Sequence, residues 1–173
     1  KNYFIIQFDK PFVSYGTWEN RKNTIQKNNL SREGEGIGAY VQFAKGSKVQ
    51  AKVSTSYISP EQAEVTMTRE LGKHSSVEVT KQAAADVWNQ LLNRVLVEGG
   101  TFYSCMFRAN LFSHKFYEEK EDGSPYYYSP YDEKIHDGYM FTDNGFWDTF
   151  RSQFPLTNIL HPTMQGQYMQ ALL

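Results

Sequence analysis

The spacing of apolar residues changes once along the chain, near Ser59, and this change limits the possible folds. Before it, residues 49–57 alternate between apolar and polar, a period of two that is typical of a half-buried antiparallel strand. After it, apolar residues recur at spacings of three and four, as in amphipathic helices. Strands followed by helices, without βαβ alternation, predict an α+β protein with a β domain over residues 1–58 and a helical domain over residues 59–173.

The N-terminal part contains few strand signals. Residues 3–8 and 37–44 are short runs of apolar and aromatic residues, and a turn signal, Lys-Gly-Ser-Lys, follows the second run. Residues 37–44 and 49–58 are therefore expected to pair as a hairpin. Residues 20–36 are expected to form a loop or an irregular connection. So small a sheet is marginal alone, which indicates the end of a larger antiparallel β-sandwich.

Capping residues mark the first two helices. Residues 59–62 (Ser-Pro-Glu-Gln) combine a capping serine with proline at the first helical position, and Gly72 is a plausible stop. A second capping box is expected at Ser75 and Glu78. The apolar face of the helix behind it is predicted to consist of Ala84, Val87, Trp88, Leu91, Leu92 and Val95.

Later helices follow from similar signals. The Gly-Gly pair at residues 99–100 is expected to end the second helix, and residues 101–112 are apolar all round, which predicts a buried helix. Residues 113–141 resemble a loop with a charged tip. Residues 143–145 predict a turn and cap for a helix that Pro155 interrupts. Another helix is expected from Pro162 onward.

Composition excludes several classes of function. The net charge is -1 and the basic residues are scattered, which argues against binding to nucleic acid or to an anionic membrane. No apolar run is long enough to span a bilayer, and residues 1–25 lack a signal-peptide pattern. The chain opens without Met and stops within a helical pattern, so we expect an internal piece of a longer parent chain. A single cysteine, Cys105, excludes an internal disulfide framework.

Several possible chemical motifs have simpler explanations. The glycine-rich stretch at residues 34–39 precedes a strand instead of following one, so loop glycines explain it better than a dinucleotide site. Cys105 lies in the helix predicted to be buried, which favours an unreactive core thiol over a nucleophile. The four histidines show no metal-ligand spacing. Four acidic residues could offer oxygen ligands to calcium but do not fit an EF-hand loop; they are Asp132, Glu133, Asp137 and Asp143.

One segment combines groups that suit a sugar. Trp147 offers an aromatic stacking face, and the adjacent Asp148 can accept hydrogen bonds from two neighbouring hydroxyl groups. Arg151, three residues further on, could orient that carboxylate. An amphipathic helix explains the same residues, with the aromatic side chains in the core, Asp143 as the N-cap and Asp148–Arg151 as a surface pair. The residues alone leave both interpretations open.

The sequence around this segment resembles glycoside hydrolase family 92. Residues 138–151, GYMFTDNGFWDTFR, are similar to a signature of the family. Similar stretches occur at residues 101–112 (TFYSCMFRANLF), 128–132 (YSPYD) and 58–63 (ISPEQA), and at Trp88 followed by VEGG at residues 97–100. The resemblance extends over most of the chain from about residue 49 onward.

This resemblance implies a fold and an activity. Family members are calcium-dependent, inverting exo-α-mannosidases that remove terminal mannose from mannans and N-glycans. Their N-terminal β-sandwich packs on an (α/α)6 barrel, so this chain would span the end of the sandwich and the first helices of the barrel. The aspartate of the Trp-Asp-Thr motif contacts mannose, a role that transfers to Asp148, with Trp147 and Arg151 in support.

The resemblance also implies what this chain lacks. The catalytic acid and base of the family, and its Ca2+ ligands, lie in later barrel segments without a counterpart here. We therefore expect no catalytic and no metal-binding residue in this chain, which is expected to be inactive alone. The expected partners are a mannose-containing glycan and the remainder of the parent chain, in the periplasm or secreted from a bacterium. The alternatives are a non-catalytic carbohydrate-binding module and a structural scaffold domain.

Overall fold

The structure is a computed structural model that describes residues 2–173. Strands dominate the first third of the chain and helices dominate most of the remainder, which confirms the predicted α+β class. The elements in chain order are β1 (Tyr3–Phe8), β2 (Ser14–Glu19), β3 (Thr24–Lys27), β4 (Ile37–Gln42), β5 (Ala51–Ser56), α1 (Pro60–Leu71), α2 (Val77–Leu92), α3 (Gly100–Ala109), β6 (His114–Lys115), β7 (Glu118–Glu119), β8 (Pro125–Tyr128), β9 (Ile135–Asp137), β10 (Phe141–Thr142), α4 (Phe146–Thr149), α5 (Gln153–Leu160) and α6 (Pro162–Leu172).

Two compact units can be distinguished. Ile6–Lys52 form one unit, and Val53–Leu173 together with residues 2–5 form the other. The buried apolar side chains lie in the second unit; they are Ala63, Met67, Met106, Phe154 and Tyr168. The domain division at residues 58 and 59 stays a prediction. Among residues 2–173, none of the helices has both the length and the apolar character needed to cross a membrane.

The predicted hairpin between residues 37–44 and 49–58 is wrong. Strand β4 pairs with β2, and β5 belongs to a different sheet, with β1. The turn itself is present, because the Ser47 N–H donates to the Ala44 carbonyl at 3.0 Å. Beyond it, the Gln50 carbonyl accepts from the Asp9 N–H at 3.1 Å, and the Gln50 N–H donates to the Asp9 carboxylate at 2.8 Å. These bonds direct the chain away from β4.

Strand β2 is the centre of a three-stranded antiparallel sheet, in the order β3-β2-β4. Much of the segment at residues 20–36 is irregular, as expected, but it also contains β3. Gly38 faces Trp18 across this sheet, and a Cβ at Gly38 would lie 2.3 Å from the indole ring. The glycine therefore allows the ring to cover the neighbouring strand, a packing role that accounts for part of the glycine-rich stretch.

Strand β5 alternates as predicted, but its polar side is the buried one. Ser54 and Ser56 are 7% and 1% exposed, whereas Val53 is 54% exposed. The Ser56 hydroxyl accepts hydrogen bonds from the backbone N–H groups of Ile58 and Ser59, at 2.9 and 3.2 Å. Ser56 is buried because it organises the turn into α1, a demand that hydrophobic alternation does not reveal.

The first helix begins as its sequence predicts. The Ser59 hydroxyl accepts a hydrogen bond from the Gln62 N–H at 3.1 Å, Pro60 is the first helical residue, and Gly72 is the C-cap. For α2 the predicted cap is wrong by one residue, because Ser76 accepts from the Val79 N–H at 3.3 Å. Ser75 and Ser76 are adjacent, so the sequence pattern located this cap only to within one residue.

The remaining helices differ more from expectation. Helix α2 ends at the C-cap Asn93, and Gly99 is instead the N-cap of α3. Helix α3 is not buried all round: Met106 is its one buried residue and Cys105 is exposed, so the predicted core thiol is wrong. Of the predicted apolar face of α2, Val87 is exposed, and no residue of the helix is fully buried.

The segment at residues 113–141, expected to be a loop, contains the five short strands β6–β10. Strands β7, β8 and β9 form one antiparallel sheet, and β6 pairs with β10. Further along, Pro155 lies inside α5 and does not interrupt it. It occupies the first turn, where a missing N–H costs no helical hydrogen bond.

His161 connects α5 to α6 and is 6% exposed. Burial, with a smaller contribution from the Arg94 charge, lowers the pKa of this imidazole below its usual value of 6.5. The unfolded chain therefore binds a proton at a higher pH than the folded chain does. The neutral His161 imidazole therefore contributes to the stability of the folded chain. This contribution is complete above pH 6.5 and is lost as the pH falls from 6.5 to the folded pKa.

Replacing His161 by Gln should therefore produce a stability difference that depends on pH. At pH 7.5 we expect the variant to be less stable than the wild type, because it loses packing in a buried position. The difference in free energy of unfolding should narrow as the pH falls to 5.5, measured by urea denaturation at constant ionic strength. A difference that stays constant over this range would contradict the lowered pKa.

Candidate functional site

The candidate site is the exposed surface of α4 and the two residues after it. Trp147 is 76% exposed, and Asp148 and Arg151 are also exposed, so all three predicted site residues face outward from one short segment. The alternative prediction, in which the aromatic residues here form the core, holds for Phe154, which is 9% exposed, but not for Trp147. The structure brings the three residues together on one surface, and their role in binding a sugar stays a prediction.

Thr149 holds this surface in place from the inner side of α4. It is 9% exposed, and its hydroxyl lies 3.1 Å from both the Asn144 side-chain oxygen and the Gly145 carbonyl oxygen. The predicted helix cap at Asp143 is wrong, because Gly145 is the N-cap. Asp143 instead adopts a left-handed conformation with φ 62°, one residue before Asn144. The loop is thus fixed through Asn144 and Thr149.

The Asp148 carboxylate folds back over Gly145. A Cβ at Gly145 would lie 2.8 Å from Oδ2 of Asp148, a separation that real contacts almost never show. The Asp148 backbone N–H also donates to the Gly145 carbonyl at 2.8 Å. The missing side chain at Gly145 therefore provides the space that the carboxylate occupies, and a side chain at this position would require the carboxylate to move.

Arg151 contacts aromatic rings rather than the carboxylate of Asp148. Its guanidinium carbon is 5.8 Å from the Trp147 ring centroid and 5.1 Å from that of Phe150, both within the range of cation–π attraction. Among the ion pairs of residues 2–173, none joins Arg151 to Asp148, so the expected surface pair is not formed. Arg151 instead lies over the Trp147 ring and does not occupy the Asp148 oxygens.

Sequence reasoning missed a contact between a histidine and an aspartate beside this surface. Nδ1 of His114 lies 2.7 Å from Oδ2 of Asp143, and both side chains are more than half exposed. The strand pair β6–β10 explains the contact, because Thr142 is opposite His114 in its register. The two residues are 29 positions apart in the chain, so no local sequence pattern could have joined them.

Two of the four tyrosines in the aromatic run at residues 126–131 have side-chain contacts within the protein. The Tyr126 hydroxyl donates to the Gln62 side chain at 2.6 Å, and the Tyr127 ring stacks on His136 with centroids 5.6 Å apart. Tyr131 differs because it is 90% exposed. Trp147 and Tyr131 are therefore the two most exposed aromatic rings of the described chain.

Three of the four acidic residues considered as calcium ligands have other partners. Asp132 lies 2.9 Å from His136, Asp137 lies 2.5 Å from the Lys120 ammonium group, and Asp143 is paired with His114. Within residues 2–173, no three His, Cys, Asp or Glu side chains converge as a metal site requires. The residues of this part of the chain do not fit a Ca2+ ion.

A cavity of about 370 Å³ separates α1 from β5 and β7. Its lining includes Ser54, Arg69, Glu118 and Glu119. The Glu119 carboxylate pairs with Arg69 at 2.5 Å, and Glu118 accepts from the Tyr57 N–H at 2.8 Å through one of its oxygens. These contacts connect neighbouring elements, which indicates a structural role for most of the charges in this cavity.

Comparison with known proteins relates this architecture to one family. The family model described as the glycosyl hydrolase family 92 catalytic domain matches residues 62–173, and the one described as the N-terminal domain of that family matches residues 1–56. None of the curated proteins compared matches the chain.

Two solved structures are similar to the chain. The first, the family GH92 inverting mannosidase BT2199 from Bacteroides thetaiotaomicron VPI-5482, has a TM-score of 0.85 and 40% sequence identity, covering 98% of this chain and 24% of that one. The second, the GH92 family glycosyl hydrolase ccman5, has a TM-score of 0.70 and 21% identity, covering 99% and 23%. The second likeness concerns the fold alone. The first confirms the expected end of a β-sandwich followed by barrel helices, and this chain spans about a quarter of either protein.

The Thr149 hydroxyl should contribute measurably to stability. Thr149→Val keeps the shape of the side chain but removes the donor to Asn144 and Gly145, so we expect the free energy of unfolding to fall by about 1 kcal/mol. Chemical denaturation measures this value, with Thr101→Val, at an exposed helical position, as the matched control. Equal stability of the two variants would show that Thr149 does not hold the loop.

Proposed function

Because the chain belongs to glycosyl hydrolase family 92, we propose that it forms part of an exo-acting α-mannosidase that removes terminal mannose from mannans or N-glycans with inversion at the anomeric carbon. The observation that carries this proposal is the 40% identity to an inverting mannosidase over 98% of this chain. The protein that contains the chain would be bacterial and periplasmic or secreted, with a mannose-containing glycan as its substrate.

In this proposal Asp148 binds the terminal sugar. Its carboxylate is exposed, directed by Gly145 and not paired with Arg151, so both oxygens can accept hydrogen bonds from adjacent hydroxyl groups of a hexose. Hydrogen bonds to a charged acceptor are stronger than neutral ones and have well-defined directions. Asp148 would therefore fix the orientation of the sugar ring relative to the reacting groups.

Trp147 and Arg151 support that contact. The indole ring is exposed and can lie against the C–H groups of a sugar, while the Arg151 guanidinium limits its movement from one side. A ring held in place loses little conformational freedom when a ligand binds. The pair therefore favours a positioned stacking surface beside the carboxylate.

The reacting groups are proposed to come from elsewhere in the protein. An inverting glycosidase needs a carboxylic acid and a carboxylate roughly 6.5–9.5 Å apart, with water between the carboxylate and the sugar. We assign no catalytic residue within this chain, since its candidate site presents a single carboxylate, that of Asp148. The Ca2+ ion of the family is likewise proposed to be bound by residues outside this chain, which would be inactive alone.

A second candidate function is sugar binding without catalysis. The exposed rings of Trp147 and Tyr131 favour it, because stacking platforms of this kind can bind glycans without any reacting group. Calorimetric titration of the purified chain with mannose distinguishes these two candidate functions. Saturable binding to the isolated chain would favour a binding module. No detectable binding would indicate that the chain is part of a larger active site.

The role of Asp148 can be tested in the protein that carries this chain. Asp148→Asn keeps the size of the side chain but removes its charge, so we expect kcat/KM for an aryl α-mannoside to fall about a hundredfold. Gly145→Ala should lower kcat/KM in the same direction, because the new Cβ would displace a carboxylate that is still present.

Asp86→Asn, on the exposed face of α2, is the matched control and should leave kcat/KM unchanged. Thermal unfolding of each variant distinguishes a loss of recognition from a loss of folding. Full activity of Asp148→Asn would show that Asp148 does not bind the sugar, but it would not contradict the proposed mannosidase activity. A wild-type protein that hydrolyses other α-glycosides but no α-mannoside would reject the proposed substrate.

A further inference from the structure

A second cavity, of about 560 Å³, lies beside the first turn of α6. Its lining comes from the end of α2, the stretch from α3 to β6, β10 and α6. The basic and imidazole side chains of this lining are Arg94, His114, Lys115 and His161, and none of the described lining residues is Asp or Glu. One of the four, His114, already has Asp143 as a partner, so Arg94 and Lys115 determine the charge that a ligand would meet.

The N-terminal turn of α6 contributes backbone donors to the same cavity. The helix has 11 residues, and no side chain caps its start at His161. Pro162 has no N–H, which leaves the N–H groups of Thr163 and Met164, two residues that line the cavity, without helical acceptors. Uncapped N–H groups at a helix N-terminus, together with the helix dipole, favour a negatively charged ligand.

His161 gives an independent indication that a ligand belongs here. It is 6% exposed, it lines the cavity, and its Nε2 atom is buried without a hydrogen-bond partner. Buried polar atoms are rarely left unpaired, because each lost hydrogen bond has an energetic cost. Since burial lowers the pKa of this imidazole, the ring is neutral near pH 7, and the tautomer with a proton on Nε2 has an unused donor.

Arg94 and Lys115 supply positive charge from two different elements. The Arg94 guanidinium donates to the Leu160 carbonyl at the end of α5, which fixes one of its nitrogens and leaves other donors free. Lys115 is exposed, with its Nζ 5.3 Å from the Tyr117 ring centroid. A small anion in the cavity would therefore meet fixed donors from Arg94, His161 and α6, and a mobile cation from Lys115.

We propose that this cavity binds a small oxyanion of the phosphate class, held by the first turn of α6, Nε2 of His161, Arg94 and Lys115. A tetrahedral anion has several acceptor oxygens, which matches a set of donors that converge from different elements. A neutral sugar fits less well, because the described lining offers no carboxylate to accept bonds from its hydroxyl groups. The site goes beyond the proposed mannosidase activity and does not depend on it.

The test is a titration of the protein with sodium phosphate at pH 7, followed through the imidazole resonance of His161 by nuclear magnetic resonance. Comparison with the spectrum of His161→Gln identifies that resonance. Sodium chloride of equal ionic strength is the reference. We expect a saturable shift with phosphate and none with chloride. Glycerol 2-phosphate, titrated in parallel, separates the two possible sources: tighter binding than phosphate indicates an esterified ligand, and weaker binding a free ion.

Two lysine variants show whether the shift comes from this cavity. Lys115→Gln should weaken phosphate binding about tenfold, because a charged donor is lost. Lys73→Gln, also at an exposed position but outside the cavity lining, should leave it unchanged. Both lysines are exposed, so the variants should fold normally. The proposal is overturned if phosphate causes no saturable shift at His161, if chloride causes the same shift, or if the two variants bind equally.

Discussion

One buried amide, that of Gln62, holds the first helix of the second unit against two of its strands. The side chain is 6% exposed in the first turn of α1. It donates to the Glu119 carbonyl at 2.8 Å and accepts from the Tyr126 hydroxyl at 2.6 Å, so a single residue connects α1 to β7 and β8. Removing the Tyr126 hydroxyl would leave a buried polar atom of Gln62 unpaired, which costs more than the hydrogen bond contributes. The aromatic run at residues 126–131 is thus held against α1 at its first tyrosine, while its last, Tyr131, extends into solvent.

Local signals predicted the start and end of the first helix, but several later helix boundaries and the pairing of strands over long distances were not predicted. The cap of α1 was correct because Ser59 and Gln62 interact across three residues of chain. The hairpin was wrong because the choice of partner for β5 depends on contacts about 40 residues away, such as those between Asp9 and Gln50. The five short strands between α3 and α4 were missed for a related reason. Strands of two to four residues are too short to show a period, and they exist because their neighbours hold them.

The same difference between local signals and long-range contacts applies to the candidate site. The run from Asp143 to Asp148 could be recognised from its sequence, and the exposure of Trp147 agrees with the interpretation as a surface for a ligand. The partner of Arg151 could not be predicted, because its spacing from Asp148 allows an ion pair, whereas the rings of Trp147 and Phe150 offer an equally close alternative. The buried Nε2 atom of His161 is also invisible in the sequence, where a histidine before a proline indicates no more than a helix start.

In the short helix α4, the residues that hold the helix in place lie on a different side from those that could contact a ligand. Successive helical residues point about 100° apart, so the side chain that faces the interior, Thr149, is adjacent in sequence to one that faces outward, Asp148. The inner residue anchors the loop through Asn144, and the outer residues are free of structural partners that would compete with a sugar for the Asp148 carboxylate. Gly145 links the two roles, because it caps the helix and also leaves the space into which the carboxylate folds. A surface built in this way can change its ligand contacts through its outer residues while the inner hydrogen bonds, and with them the position of the helix, stay the same.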